Sequence, residues 1–466
     1  MSVKKYFVAL TFDSEHTTAY LIDKKAMVVA RAKHSVSIQK DSPTQINSDP
    51  LEWLFSLRVV LTKLFSQSFQ SSEIIGIYIF ATPHISVIWN KKTGVPVYQA
   101  FQGVKIGTDS KILGLKKKKI DEDVFKRTGR LLDESSVGFH WQEIASTNEE
   151  SATLCFGTLG SWIVFNLTGQ KHFVIDYSTA NSTQLFHLEN KEWDEFLLRE
   201  FGLTLQSLPQ LVPTDSILGE TQGFLSLPDG VAILGLSTFQ HLYLDQSASV
   251  EFEDTSRVFV NIGVKVESKL PYSQTLFQQG KEPFRYSLEG PFVLPYPLLN
   301  AFFERDNAEQ LNQNPSQTET PPLFIYTHTA LLKREVPTSI IGITPVHRPI
   351  HFIQAFYQNI AYMLFLFFTH IQGALGFFPK ELVIYGQLAY HPRLLQILAD
   401  ALQIPIIRYS TESVLIHAVG AKAALQGYLI KSSAFSKKIE LQVLPELDPI
   451  SNMAQFNAWK DYLEKL

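Results

Sequence analysis

The sequence predicts an α/β protein built as two domains, and three observations carry that prediction. The chain has 466 residues, 45% of them hydrophobic, which is enough to fill more than one core of ordinary size. Short runs rich in β-branched and aromatic residues alternate with longer amphipathic stretches, the pattern of sheets covered by helices. The alternation runs through two cycles, parted by a charged, turn-like stretch from Glu251 to Ser256. The expected domains are residues 1–246 and 247–466.

In the first cycle, Tyr6 to Phe12, Ala19 to Ile22, Ala26 to Ala30 and Ile74 to Phe80 read as strands, and Leu51 to Ser66 carries a helical spacing of apolar side chains. Lys116 to Lys119, followed by Asp121, Glu122 and Asp123, reads as a solvated helix start. The second cycle opens on strands Val258 to Ile262 and Val264 to Leu270. It continues with a long helix Ile350 to Leu375, strand Glu381 to Ile384, helix Pro392 to Leu402, strand Ile404 to Ile407 and helix Ser413 to Gln426. Between them, Asp306 to Pro322 holds one leucine and no aromatic residue, so it reads as a mobile surface loop.

The net charge of −4 and pI of about 6.4 leave no global basic field for a polyanion, which argues against nucleic acid as a partner. Cys155 is the single cysteine and sits in an apolar stretch, fitting a buried side chain in a reducing cytoplasm. The apolar run ending at Leu10 is too short for the core of a signal peptide. The run Tyr362 to Phe368 reaches Phe378 only by crossing His370 and Gln372, so it reads as a buried helix and not as a membrane span.

Five ordered segments then narrow the fold. They are Phe156-Gly-Thr-Leu-Gly-Ser-Trp162, Leu167-Thr-Gly169, Asp176-Tyr-Ser-Thr-Ala-Asn-Ser-Thr183, Trp193-Asp194 and Leu208-Pro209. In order and spacing they resemble the G-T-x-x-S-W, L-T-G, T-D-Y-S-N-A-S-R-T, W-D and L-P signposts of the FGGY family of carbohydrate kinases. Val87-Ile-Trp-Asn-Lys-Lys-Thr-Gly-Val-Pro96, Ser287-Leu-Glu-Gly290, Gly386 with Ala399-Asp400, and Glu412-Ser-Val-Leu-Ile extend the resemblance over nearly the whole chain. The stretch Val87 to Ala100 is similar to glycerol kinases, and the second domain to heptulose and pentulose kinases. The resemblance implies two ribonuclease-H-like domains of the actin and hexokinase type flanking a cleft. It further implies a small sugar or polyol bound mainly by the first domain, Mg-ATP bound mainly by the second, and transfer of the γ-phosphoryl group to a hydroxyl. That chemistry asks for an aspartate to accept the hydroxyl proton, a carboxylate for magnesium, and glycine turns that approach phosphate.

Most of these working positions hold something else. With Ala19 to Asp23 aligned, the family's metal carboxylate falls on Thr11 and its glycine on Asp13; a shift of two makes Asp13 the magnesium ligand but sets Glu15 at the glycine. As residues alone, Asp13-Ser14-Glu15-His16 is a polar hairpin turn. The segment Ala232 to Gln240 resembles G-x-x-D-x-Q, placing Thr238 at the proton-accepting aspartate and Gln240 at a substrate contact, with Asp245 in Asp245-Gln-Ser-Ala248 as the rival base. Pro83 and His84 stand where glycerol kinases place an arginine and a glutamate for sugar; His84 reads equally as a hydroxyl contact or a structural histidine. The W-Q-D-x-R of the family becomes Gly103-Val-Lys-Ile-Gly107. On the nucleotide side Gly263 remains while Val264 replaces a threonine, Gly386-Gln387 replaces a glycine pair, His391 stands at an adenine contact, and His417 stands at a glycine. The resulting expectation is a kinase fold with weak or lost activity; an active kinase with a relocated carboxylate, or a module that only binds a ligand or protein, stays open.

Overall fold

In the computed structural model the described residues are 5–42, 45–66, 73–103, 108–128, 132, 136–147, 153–214, 216–224, 226–238, 257–262, 265–269, 287–293, 322–326, 339–375, 378–429, 435 and 437–465. They form two compact units, residues 1–250 with 411–437, and residues 251–410 with 438–466. Most of the expected loop, residues 306–321, lies outside the described residues.

The first unit is organised by a six-stranded sheet in the order Gly219–Glu220, Ala232–Thr238, Ile74–Ala81, Tyr6–Phe12, His16–Asp23 and Val28–Ser35. Tyr6–Phe12 is buried along its whole length, as a strand covered on both faces must be. The expected strand Ala26 to Ala30 begins instead at Val28, because Ala26 takes a left-handed φ of 66° in a turn. Asp23 Oδ1 closes that turn by accepting from the backbone N–H groups of Lys25 and Met27. Helix Pro50–Phe65 opens on Asp49, whose Oδ1 accepts from Leu51 N at 2.9 Å, with proline at its first position. Its stripe of Trp53, Leu57, Val60, Leu61 and Leu64 packs into the core, where each such side chain contributes about 1.5–3 kcal/mol.

A second sheet in this unit has five short strands in the order Ile38–Ser42, Gln45–Ser48, Ala100–Gly103, Ser86–Asn90 and Leu154–Thr158, all paired antiparallel. Helix Thr411–Leu425 also belongs to this unit, although the strands before and after it lie in the other one. It packs on Tyr6–Phe12 and Ala232–Thr238. Lys422 Nζ donates to Thr214 O at 3.3 Å, and just beyond the helix Gln426 Nε2 donates to Leu234 O at 2.6 Å while Tyr78 OH donates to Gln426 Oε1 at 3.3 Å.

The second unit has its own six-stranded sheet, ordered Ser287–Val293, Lys265–Lys269, Arg257–Ile262, Glu381–Tyr385, Ile406–Tyr409 and Ile439–Val443. The expected strand Ile404 to Ile407 lies two residues later, at Ile406–Tyr409, with Pro405 O already accepting from Leu382 N. Helix Pro349–Leu375 has a stretch, Pro349–Thr369, long and apolar enough to cross a membrane. That stretch is 67% buried within the protein, and Ile353, Phe356, Ile360, Leu364 and Phe368 recur along it as one face of the second core. Two turns lead into this helix. His347 Nδ1 accepts from Thr344 N at 2.9 Å, and His351 Nδ1 accepts from Arg348 N at 2.8 Å. The charged run divides between two helices: Lys116 and Lys117 end Thr108–Lys117, and Asp121, Glu122 and Asp123 open Ile120–Thr128. The expected helix start is therefore at Ile120.

Candidate active site

Parallel sheets present ligands at the carboxyl ends of their strands. In the first unit three neighbouring strands end level, since Phe12 pairs with Ala81 and Ala81 with Thr238. The level ends bring together the Asp13 turn, the Thr82 to His84 segment and Thr238; Thr82 N donates to Phe12 O at 2.9 Å across the rim. The side chain of Thr238, and all of Gln240 and Asp245, lie outside the described residues.

Asp13 caps the hairpin between Tyr6–Phe12 and His16–Asp23. Its Oδ1 accepts from Glu15 N at 2.8 Å and His16 N at 2.7 Å, and lies 3.2 Å from His16 Nδ1. This is the polar turn that the residue types suggest. Thr11 is buried, its hydroxyl 3.5 Å from Thr18 O. Behind it, burial raises the pKa of the Tyr20 phenol, against the lowering effect of Arg31. His84 is half-buried, two residues before a polar node that sequence reasoning missed. There Ser86 Oγ lies 2.8 Å from His140 Nδ1 and accepts from Trp141 Nε1 at 3.1 Å, while Phe101 stacks on the His140 ring at 4.6 Å. His140 and Trp141 come from helix Val137–Thr147, and only tertiary packing links them to Ser86.

The signpost residues hold the frame. Asp176 is fully buried, and its carboxylate accepts from Ser178 N at 2.9 Å, Thr179 N at 3.4 Å, Thr214 Oγ1 at 3.1 Å and the hydroxyls of Ser178 and Thr179. Asp194 Oδ1 accepts from Leu197 N at 2.9 Å, capping helix Glu195–Glu200, and its Oδ2 meets Arg127 Nη1 at 3.0 Å. Trp193 Nε1 donates to Pro209 O at 2.9 Å, tying the W-D and L-P segments together.

In the second unit, strand Glu381–Tyr385 ends on Gly386, whose φ of 99° suits glycine. A 3-10 turn, Gln387–Tyr390, then leads through His391 into helix Pro392–Leu402. Burial lowers the pKa of His391, which favours the neutral imidazole. Arg408 clamps this turn. Its Nη1 donates to Ala389 O at 2.9 Å, its Nε lies 3.4 Å from Glu440 Oε2, and its guanidinium sits 4.5 Å from the Tyr390 ring centroid. Gly263, Val264 and the side chain of Gln387 lie outside the described residues. His417, expected on the nucleotide side, lies on helix Thr411–Leu425 of the first unit and donates from Nδ1 to Phe435 O at 2.6 Å.

Magnesium takes carboxylate, water and phosphate oxygens in octahedral geometry. The described rim offers the Asp13 carboxylate, whose Oδ1 serves the turn, beside the neutral hydroxyl of Thr11. Among the described residues no group of three or more His, Cys, Asp or Glu side chains is placed to hold an ion. On the nucleotide side, Gly386 takes a φ of 99° at which a side chain would be strained.

The N-terminal domain model of the FGGY family of carbohydrate kinases matches residues 6–233. Glycerol kinase 1 of Clostridium tetani is 24% identical over 431 residues, covering 87% of this chain and 86% of its own. Glycerol kinase of Bacillus anthracis is 26% identical over 431 residues, covering 87% of each. Among solved structures, Plasmodium falciparum glycerol kinase with ADP superposes with a TM-score of 0.79 at 17% identity, over 99% of this chain and 98% of that one. Ligand-bound xylulose kinase from Lactobacillus acidophilus gives 0.77 at 14% identity, over 99% and 98%. Over residues 6–233 the chain thus matches the FGGY carbohydrate kinases, it is similar to glycerol kinases over 87% of its length, and its fold matches the two-domain, actin-like α/β fold of such kinases over nearly its full length.

Proposed function

We propose that this protein keeps the architecture of a sugar or polyol kinase with weak or absent phosphoryl transfer, binding a small polyol or sugar on the first unit and a nucleotide on the second. One observation carries the reading: Oδ1 of the rim carboxylate Asp13 is taken up by its own hairpin turn. Thr238 ends the strand where the resembling family has its base, and a threonine hydroxyl does not accept a proton at neutral pH. Loss of a positioned general base slows such a reaction by roughly 10²- to 10⁴-fold. A bound magnesium ion would supply charge neutralisation at the phosphates, with Asp13 as the described carboxylate nearest to serve it. His84, half-buried beside the same rim, is the described side chain that would contact a substrate hydroxyl. The low charge and single cysteine support a cytoplasmic protein with no nucleic-acid or membrane partner.

A working kinase is the second reading. It is favoured by the 24–26% identity to proteins named glycerol kinase, spread over 87% of the chain, and Asp245 would then take the hydroxyl proton. Transfer from ATP to glycerol and to xylulose, followed by phosphorus NMR, separates the two. The expected turnover is at least about a hundredfold below that of a glycerol kinase assayed alongside. A gain of transfer in Thr238→Asp indicates that only the base is missing. Robust turnover by the unmodified protein, abolished in Asp245→Asn, establishes the second reading and removes the first.

A further inference from the structure

We infer that the first unit holds one ordered water molecule just beneath its rim, bound by Thr17, His34 and Ser56. Phe12, Thr17 and His34 stand opposite one another in a single row across three neighbouring strands, so their side chains share one face of the sheet. Helix Pro50–Phe65 covers that face. Its Trp53 ring lies 6.4 Å from the ring of Phe12 at one end of the row, and its Phe55 ring lies 5.8 Å from that of His34 at the other. With about 3.6 residues to a turn, Ser56 projects between the directions taken by Trp53 and Phe55. That direction sets its hydroxyl over Thr17, in the middle of the row.

Three polar atoms meet there without a hydrogen-bond partner among the described residues: Thr17 Oγ1, Ser56 Oγ and His34 Nδ1. Thr17 and Ser56 are fully buried, so bulk solvent does not reach them. A helical serine commonly turns its hydroxyl back to a carbonyl one turn earlier, and this one does not. Each such atom left dry loses its hydration with nothing in exchange. The next row on the same face is Ala19 opposite Ala32, both buried, so only methyl groups flank the three atoms on that side. Two hydroxyls and an imidazole nitrogen bring no carboxylate to a metal ion, and together they ask for a ligand that both donates and accepts. Water does both, and a buried water typically takes about three partners. Thr17 follows His16, whose backbone N–H is held by Asp13, so the water ties the helix to the root of the rim turn.

A crystal structure of the full chain tests the assignment directly, the expected result being a water within about 3.2 Å of all three atoms. A structure in which the Thr17 and Ser56 hydroxyls bond each other or a backbone carbonyl, with no water between them, overturns it. Thermal unfolding of Thr17→Val, Ser56→Ala and the double variant gives a second, independent measurement. With a shared water, each single variant melts lower by about 2 °C or more, and the double variant loses less than the sum, because the first change has already weakened the hold on the water. Without it, each hydroxyl is a buried polar group whose removal leaves the melting temperature unchanged or raises it, and that outcome overturns the inference. Losses that are present but strictly additive assign the two hydroxyls to separate contacts and overturn it as well.

Discussion

Asp176 carries no solvent exposure and five hydrogen-bond donors, two from backbone and three from hydroxyls. A carboxylate so surrounded is held by charge-assisted bonds, each stronger than a neutral pair. Asp176→Asn replaces one acceptor oxygen with a donor amide that faces other donors. It should lower the unfolding free energy by about 3 kcal/mol, measured as a shift of the urea midpoint at constant slope. The sequence marked Asp176 as a signpost but gave no sign of this role, because Thr214, which supplies the fifth donor, lies 38 residues away. Asp13 is the opposite case. Its turn was legible from residue types alone, since Asp, Ser and Glu between two β-rich runs favour a side-chain-capped hairpin. Ser86 and His140 were not legible, for neither stands in a recognisable spacing and 54 residues separate them.

At the scale of elements, the start of helix Pro349–Leu375 is built from a four-residue unit used twice, Thr344-Pro-Val-His347 and Arg348-Pro-Ile-His351. Each histidine accepts the N–H of the residue three positions earlier, the second half of a capping box. The Nδ1 of His351 must therefore be unprotonated. Burial, with lesser contributions from His347 and Arg348, lowers the pKa of His351 below its ordinary value. The unfolded chain thus takes up a proton first as pH falls. The stability from His351 is complete above a pH of roughly 6.5 and is lost as pH drops through the lower folded value. Urea midpoints measured from pH 7 down to 5 should fall accordingly. His351→Glu, which supplies the usual capping-box partner, should move the fall to more acid pH. Long helices and the central strands were legible to within about two residues, since burial imposes their periods. The five short antiparallel strands of the first unit escaped because none exceeds five residues, too few for a period to declare itself.

For the whole molecule, two α/β cycles were visible in the alternation of runs, and the signposts tied them to a known architecture. Membership of helix Thr411–Leu425 was not visible, because its sequence neighbours lie in the second sheet while its packing partners lie in the first. Residues 1–250 expressed alone lack the surface that covers Tyr78, Gly235 and Leu234. They should bind the dye ANS and unfold without a cooperative transition, whereas the full chain should not bind the dye; a sharp transition in the shorter piece would refute the dependence.

That arrangement also sets a clock on synthesis. The ribosome finishes residue 250 well before it reaches the helix that completes the same unit, and the 160 residues from 251 to 410 intervene. At typical elongation rates the delay is about ten to thirty seconds, long beside the collapse of a chain this size. Through that interval the nascent first unit holds an open apolar face, and the cell's chaperones meet it before its own last helix does.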